Sequence, residues 1–159
     1  RGGKYSAFEA GTRVPFIARW PGKVKPGISE SLLSHIDLFG SLSELSRQKI
    51  SGNAAPDSFY ALQTWLGKSD KSRDYVVEQS IGTISVIQGN WKFIAPSKGP
   101  KINRETNIEL GNDTNPQLYN LANDPGEKTN VAEKFPKKAE ELNTFLESLK
   151  QKDKTRIEK

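Results

Sequence analysis

Two β-branched and aromatic runs, Thr83–Gln88 (TISVIQ) and residues 91–95 (WKFIA), are joined by Gly89-Asn90 alone. A two-residue link that tolerates positive φ selects a tight turn, so the runs are expected to pair as an antiparallel hairpin. Residues 74–79 (DYVVEQ) have the same character, and residues 117–121 (QLYNL) supply a further short strand. In the run from Trp91, the period of two sends Trp91 and Phe93 one way and Lys92 and Ile94 the other. A sheet of three or four such strands needs one covered face. The cover is at hand: Pro136 opens a helix in which Ala139, Leu142, Phe145, Leu146 and Leu149 make an apolar stripe. The fold class expected from these residues is α+β, a small antiparallel sheet packed on a C-terminal helix.

Upstream, residues 12–19 (TRVPFIAR) are β-prone, but Pro15 cannot donate to a ladder, so they read as an edge or interrupted strand. Trp20-Pro21-Gly22 ends it, and Pro26-Gly27 marks a turn. Ser34 reads as an N-cap with Asp37 three residues on. Leu38, Phe39, Leu42 and Leu45 recur at helical spacing, predicting one amphipathic helix over residues 35–46. Residues 47–57 are polar and end in Ala54-Ala55-Pro56, a lobe boundary. Residues 96–116 are a long polar stretch with little periodicity, of the kind that is functional or disordered. Asp124-Pro125-Gly126-Glu127 is a turn by composition, and the charged end beyond Gln151 is expected to fray. The expected organisation is therefore 1–46, a linker with a short helix at 47–72, a sheet-and-helix subdomain at 73–150, and a tail at 151–159.

Several classes of chemistry are excluded. With no cysteine, the chain has no disulfide, thiolate metal site or cysteine nucleophile. The single histidine, His35, near a helix start, reads as a capping or packing residue, and no Ser-His-Asp arrangement can be argued around it. Gly2-Gly3-Lys4 lacks the spacing of a phosphate loop, and Asp113-Thr114-Asn115 reads as a turn rather than a calcium loop. Asn112-Asp113-Thr114 is a glycosylation sequon expected to occur by chance. A net charge of +5 without a recognisable nucleic-acid module reads as a solvated basic surface, with anionic substrates as the second reading. No apolar run reaches the ~20 residues of a membrane span. Hydrophobic residues at 34% are lean for a self-sufficient globule, so a partner surface is expected. Arg1-Gly2-Gly3-Lys4 carries no initiator Met and no signal-peptide core and reads as the interior of a longer chain. Two glycines beside a lysine let the backbone approach closely and hold a compact positive charge against an anion.

The stretch RGGKYSAFEAGTRVPFIARWPGKVKPG, followed by SHIDLFGSLSEL, resembles the sulfatase family. Its members carry G-K-x-x-x-x-E-[GA]-G-x-R-x-P, matched by Gly3, Lys4, Glu9, Ala10, Gly11, Arg13 and Pro15, then a W-P-G turn and a D-L-[FL] helix. Gly89-Asn90-Trp91-Lys92-Phe93-Ile94 is similar to the family's G-x-W-K-[LFY]-I strand. Leu118-Tyr119-Asn120-Leu121 with Asp124-Pro125-Gly126-Glu127 and Asn130-Val131-Ala132 is similar to its L-Y-[DN]-L-x-x-D-P-G-E-x-x-N-[LV]-A segment. Four blocks occur in the family's order. The departures lie between Ser46 and Leu66, where Asp57-Ser58-Phe59 is a shortened echo of a D-G-x-S-[LF] run.

The resemblance implies an α/β, alkaline-phosphatase-like large domain to which residues 1–46 belong, and a C-terminal sheet packed on the terminal helix. It implies hydrolysis of sulfate monoesters through a formylglycine nucleophile made from Cys or Ser in C/S-x-P-S-R, with a calcium ion held by upstream Asp and Asn residues. Neither the nucleophile nor the metal ligands fall in this chain, which alone is expected to be inactive. Lys4 matches the family's sulfate-contacting lysine. Glu9 and Arg13 can be read as acid and clamp, but an ion pair that fixes the loop is the expectation. Lys98, Lys101, Asn103 and Arg104 lie on a possible substrate rim. The implied partners are a sulfated small molecule or glycan and the remaining N-terminal domain, with no nucleic acid and no membrane span; the implied location is periplasmic or secreted. Two other functions fit the residues: a non-catalytic module that binds sulfated glycans, and a phosphonate or phosphodiester hydrolase of the same fold.

Overall fold

The computed structural model describes residues 1–71 and 73–156; Ser72, and residues 157–159 of the expected tail, lie outside the described residues. Four strands form one sheet in the order β1-β2-β3-β6: β1 is Tyr75–Ser80, β2 Thr83–Gln88, β3 Trp91–Ile94 and β6 Gln117–Asn120. The hairpin at Gly89-Asn90 forms as expected, with Gln88 opposite Trp91 and Gly89 at φ +56°. Strand β6 pairs antiparallel with β3, setting Lys92 opposite Tyr119 and Phe93 opposite Leu118.

This register sorts the two faces. Val86, Phe93 and Leu118 form a row across three strands and are almost wholly buried. Trp91, on the same face, meets Phe135 edge-on with ring centroids 5.4 Å apart. Phe135 immediately precedes α4, Pro136–Lys150. That contact brings α4 across this face, and its buried positions are Ala139, Leu142, Leu146 and Leu149. The opposite face carries Ile94 and Tyr119, which cluster with Ala7 and Phe8. Leu142 is fully buried, so Leu142→Ala is expected to cost about 2–5 kcal/mol in urea unfolding. A negligible shift of the midpoint would mean that α4 does not cover the sheet.

By internal contact the chain falls into two compact units, Arg1–Pro15 with Val77–Ser148, and Phe16–Val76 with the residues from Leu149 on. The first unit also contains a small sheet that the sequence does not reveal. Within the expected irregular stretch 96–116, β4 (Ile102–Asn103) pairs antiparallel with β5 (Ile108–Glu109). Two residues per strand are too few to show a period. Asn103 Oδ1 accepts the Glu105 N–H at 3.0 Å and organises the turn between them. Asn112 of the sequon is buried, its Nδ2 donating to Ile81 O and Pro100 O.

Elsewhere the structure corrects four expectations. Residues 12–19 are not a strand: α1, Glu9–Thr12, takes their start, and the rest is extended without a ladder among the described residues. An edge strand needs a neighbour, and without one Val14, Phe16 and Ile17 stay exposed. The expected helix 35–46 is α2, Asp37–Ser46, and Ser34 is not its N-cap; Ile36 occupies that position without a side-chain bond. Part of the expected box survives, since the Ser34 N–H donates to Asp37 Oδ2 at 3.2 Å.

The buried face of α2 is also the reverse of the expected one. Leu38, Phe39, Leu42 and Leu45 are exposed, whereas Asp37, Gly40, Ser41 and Ser43 are buried. The small residues admit backbone: a Cβ on Gly40 would lie 2.6 Å from Phe59 O. Asp37 receives Arg73 through Nε at 2.7 Å and Nη2 at 2.6 Å, and its Oδ1 also accepts the Phe59 N–H. Both charges are buried, so their mutual bonds replace lost hydration. The fourth correction concerns the tail, which does not fray up to Arg156. The Arg156 guanidinium donates to the carbonyls of Gly52, Ala54 and Ala55, pinning the expected lobe boundary. Among the described residues no helix is long and apolar enough to cross a membrane.

Candidate functional site

Lys4 sits at the corner of a tight turn, closed by the Ser6 N–H donating to Gly3 O at 2.9 Å. Gly2 takes φ +82° and Tyr5 φ +74°. A tyrosine in that region is strained, and such strain persists only where the surroundings enforce it. The enforcement is visible at Gly11, where a Cβ would lie 2.4 Å from Ser6 O and 2.5 Å from Gly3 O. Glycine there lets α1 carry the turn directly on its backbone. The Lys4 side chain is exposed, with Nζ 4.8 Å from the Tyr5 ring centroid and no carboxylate partner among the described residues. A lysine presented this way can meet an incoming anion without first breaking an ion pair.

Beneath the turn lies a second charged group, wholly enclosed. Lys92 Nζ is 2.9 Å from Glu9 Oε1, 3.1 Å from Glu78 Oε2 and 3.5 Å from Glu127 Oε1, and its side chain has no exposure. Glu127 Oε2 accepts the Glu9 N–H at 2.6 Å at the start of α1, while its Oε1 is buried without a hydrogen bond. Burial pulls the Lys92 pKa down, but Glu78, Glu9 and Glu127 outweigh it and leave the value raised. Burial pushes the Glu127 carboxyl up, more than Lys92 and the Glu9 N–H pull it down. Three carboxylates around one ammonium tie β3, β1, α1 and the Asp124–Glu127 turn together.

The expected ion pair between Glu9 and Arg13 is not formed. Glu9 gives its carboxylate to Lys92. Arg13 is exposed beyond the last turn of α1, at φ −80°, ψ 111°, where the chain has left the helical path that would align the two side chains. Of the rim residues, Lys98 and Arg104 are exposed, Lys101 pairs with Asp113 at 2.5 Å, and Asn103 organises the β4–β5 turn. Sequence reasoning missed Lys92, Glu78 and Glu127 as a group. The signal available was a lysine on the same strand face as Ile94, a core position where a charge requires partners. Among the described residues no group of side chains could hold a metal ion; the one carboxylate cluster is filled by the Lys92 ammonium.

The profile of the Sulfatase family matches residues 1–47. The chain is 53% identical over 151 residues to N-acetylgalactosamine-6-O-sulfatase of Bacteroides thetaiotaomicron, covering 94% of this chain and 30% of that protein. It is 28% identical over 144 residues to arylsulfatase A of Homo sapiens, covering 82% of this chain and 28% of that one. A solved structure from work on the metabolism of multiple glycosaminoglycans by Bacteroides thetaiotaomicron superposes with a TM-score of 0.92 at 52% identity, over 96% of this chain and 32% of that one. The chain thus spans about 30% of the length of the curated relatives it matches, a share that fits a C-terminal portion. With ordered sequence blocks, sheet and closing helix in agreement, the chain belongs to the sulfatase family.

Proposed function

We propose that the complete polypeptide hydrolyses a 6-O-sulfate ester of N-acetylgalactosamine, with Lys4 holding the sulfate. The observation that carries the role of Lys4 is its placement: an exposed ammonium without a carboxylate partner, on a turn enforced by Gly11, in a chain 53% identical to an N-acetylgalactosamine-6-O-sulfatase. Hydrolysis breaks the bond between sulfur and the sugar oxygen and yields an alcohol and inorganic sulfate. Negative charge grows on the leaving oxygen and the sulfate oxygens as that bond breaks, and a fixed ammonium beside them lowers the barrier.

The nucleophilic oxygen in this reading comes from a formylglycine elsewhere in the polypeptide, because this chain has no Cys and no Ser followed by x-P-S-R. The family's calcium does not fit the carboxylates present here, since Glu9, Glu78 and Glu127 already enclose Lys92. Residues 1–46 then complete the large α/β domain, and the exposed stripe Leu38, Phe39, Leu42 and Leu45 is covered by its remainder. The basic, exposed Lys98 and Arg104 lie on the substrate rim, and the chain alone is inactive. The complete enzyme works in the periplasm or outside the cell, as the family resemblance implies.

The test is release of inorganic sulfate from N-acetylgalactosamine 6-sulfate by the complete polypeptide, alongside a phosphodiester and a phosphonate ester. Sulfate release supports the proposal. Cleavage of the phosphorus esters alone would replace it with a phosphohydrolase. Salt-sensitive binding of sulfated sugar by the isolated chain, without hydrolysis by the complete form, would make it a binding module.

A further inference from the structure

The β4–β5 hairpin lies against the Lys4 turn and meets it at three places. Before the turn, Arg1 donates from Nε and Nη2 to both carboxylate oxygens of Glu109, each at 2.8 Å, and from Nη1 to Glu127 O at 3.1 Å. Its guanidinium also lies over the Phe8 ring, 4.3 Å from the centroid, so it is held from three sides. Within the turn, a Cβ on Gly3 would stand 3.1 Å from Ile108 Cδ1, which puts β5 directly against that backbone. After the turn, the Ala7 N–H donates to Leu110 O at 3.0 Å. Three consecutive residues, Ile108, Glu109 and Leu110, therefore grip the middle, the entry and the exit of one short loop.

The hairpin is itself closed by the Leu110 N–H on Lys101 O and the Asn107 N–H on Asn103 O, both at 2.8 Å. It thus forms a small braced element rather than a slack loop. What it braces includes Tyr5 at φ +74°, a conformation that persists only where the surroundings enforce it.

The geometry points to Glu109 and Ile108 as positioning residues for Lys4, through which the β4–β5 hairpin holds the strained turn in the one conformation that aims the ammonium. The catalytic consequence rests on the reading of Lys4 as the sulfate contact, whereas the bracing of the turn stands without it.

Four forms of the complete polypeptide separate the two: the unaltered protein, Glu109→Ala, Lys4→Ala and the double variant. They are compared by kcat/KM on a sulfated monosaccharide, by amide exchange at Ser6, whose N–H closes the turn, and by Tm. Glu109→Ala is expected to lower kcat/KM on the order of tenfold, as a misplaced catalytic group does. Ser6 exchange should quicken, while Tm should fall only slightly because the Arg1–Glu109 pair is still partly open to solvent and screened by it. In the Lys4→Ala background the Glu109 change should add nothing, a non-additivity that a purely structural role does not produce. Ile108→Ala should repeat the pattern through the contact at Gly3.

If both hairpin variants leave Ser6 exchange and turnover unchanged while Lys4→Ala is damaged, the brace is refuted and the sulfate contact survives. Should Ser6 exchange quicken while no variant, Lys4→Ala included, alters turnover, the assignment of positioning residues falls together with the proposed role of Lys4. An equal loss from Glu109→Ala with and without Lys4 would show that the hairpin acts on another group, and would overturn the inference.

Discussion

Replacing Lys4 by alanine in the complete enzyme is expected to lower kcat/KM for a sulfate monoester by on the order of 10²–10³, the loss typical of removing one fixed donor from a developing oxyanion. The turn is the reason for expecting so large an effect from so exposed a residue. Its backbone is set by Gly3, by Gly11 and by the strained Tyr5, so the root of the side chain is already in place when the anion arrives. A fall in kcat together with kcat/KM would mean that the contact strengthens in the transition state; a rise in KM alone would mean that it only holds substrate. Lys4→Arg should recover part of the activity at most, because a planar fork does not reproduce a compact ammonium. Activity of the alanine variant equal to that of the unaltered enzyme would remove Lys4 from the site.

The second large effect is one of stability. Lys92→Met leaves Glu9, Glu78 and Glu127 facing one another with no cation among them, and is expected to cost about 3–5 kcal/mol, as breaking a buried ion pair does. Chemical denaturation at neutral pH measures it. A loss under about 1 kcal/mol, the size of an exposed pair, would mean that water enters and screens the cluster. Adding Glu127→Gln to Lys92→Met should return part of the loss, because Glu127 is the fully buried carboxylate with an unbonded oxygen. The pH dependence follows from the directions of the shifts. The Lys92 pKa is raised, so its stabilising contribution is complete below its ordinary value of 10.5 and disappears as pH climbs through the folded value. The Glu127 pKa is also raised, so the folded state gains on protonating it, a gain present in acid and lost as pH rises through the folded value. The gap between the unaltered protein and Lys92→Met should therefore narrow as pH falls into the carboxylate range and again above the folded Lys92 value.

Those elements whose cause is local were legible in the sequence. Gly89-Asn90 admits little but a hairpin, and Pro136 with its apolar stripe admits little but a helix. The glycines beside Lys4 were readable as a place where the backbone approaches closely, and Gly2 at φ +82° and the tight contacts at Gly11 show why the turn needs them. What escaped depends on contacts between distant segments. Residues 102–109 form strands of two residues, below any readable period. Helix α2 presents its small face to the loop at Phe59 rather than its apolar one, and nothing in Gly40 or Ser41 alone announces that choice. Glu9 was assigned to Arg13, a near neighbour in sequence, when its true partner Lys92 comes from a strand far along the chain. The lysine in the W-K-F-I strand was the available warning: alternation placed it beside Ile94, and a buried ammonium implies carboxylates brought from elsewhere.

The most direct measurement is a crystal structure of the complete enzyme with a sulfated N-acetylgalactosamine trapped in the site. Lys4 Nζ should stand about 2.7–2.9 Å from a sulfate oxygen, the length of a charge-assisted bond, with the turn from Gly3 to Ser6 unchanged. A sulfate held by other residues while Lys4 extends into solvent would contradict the account.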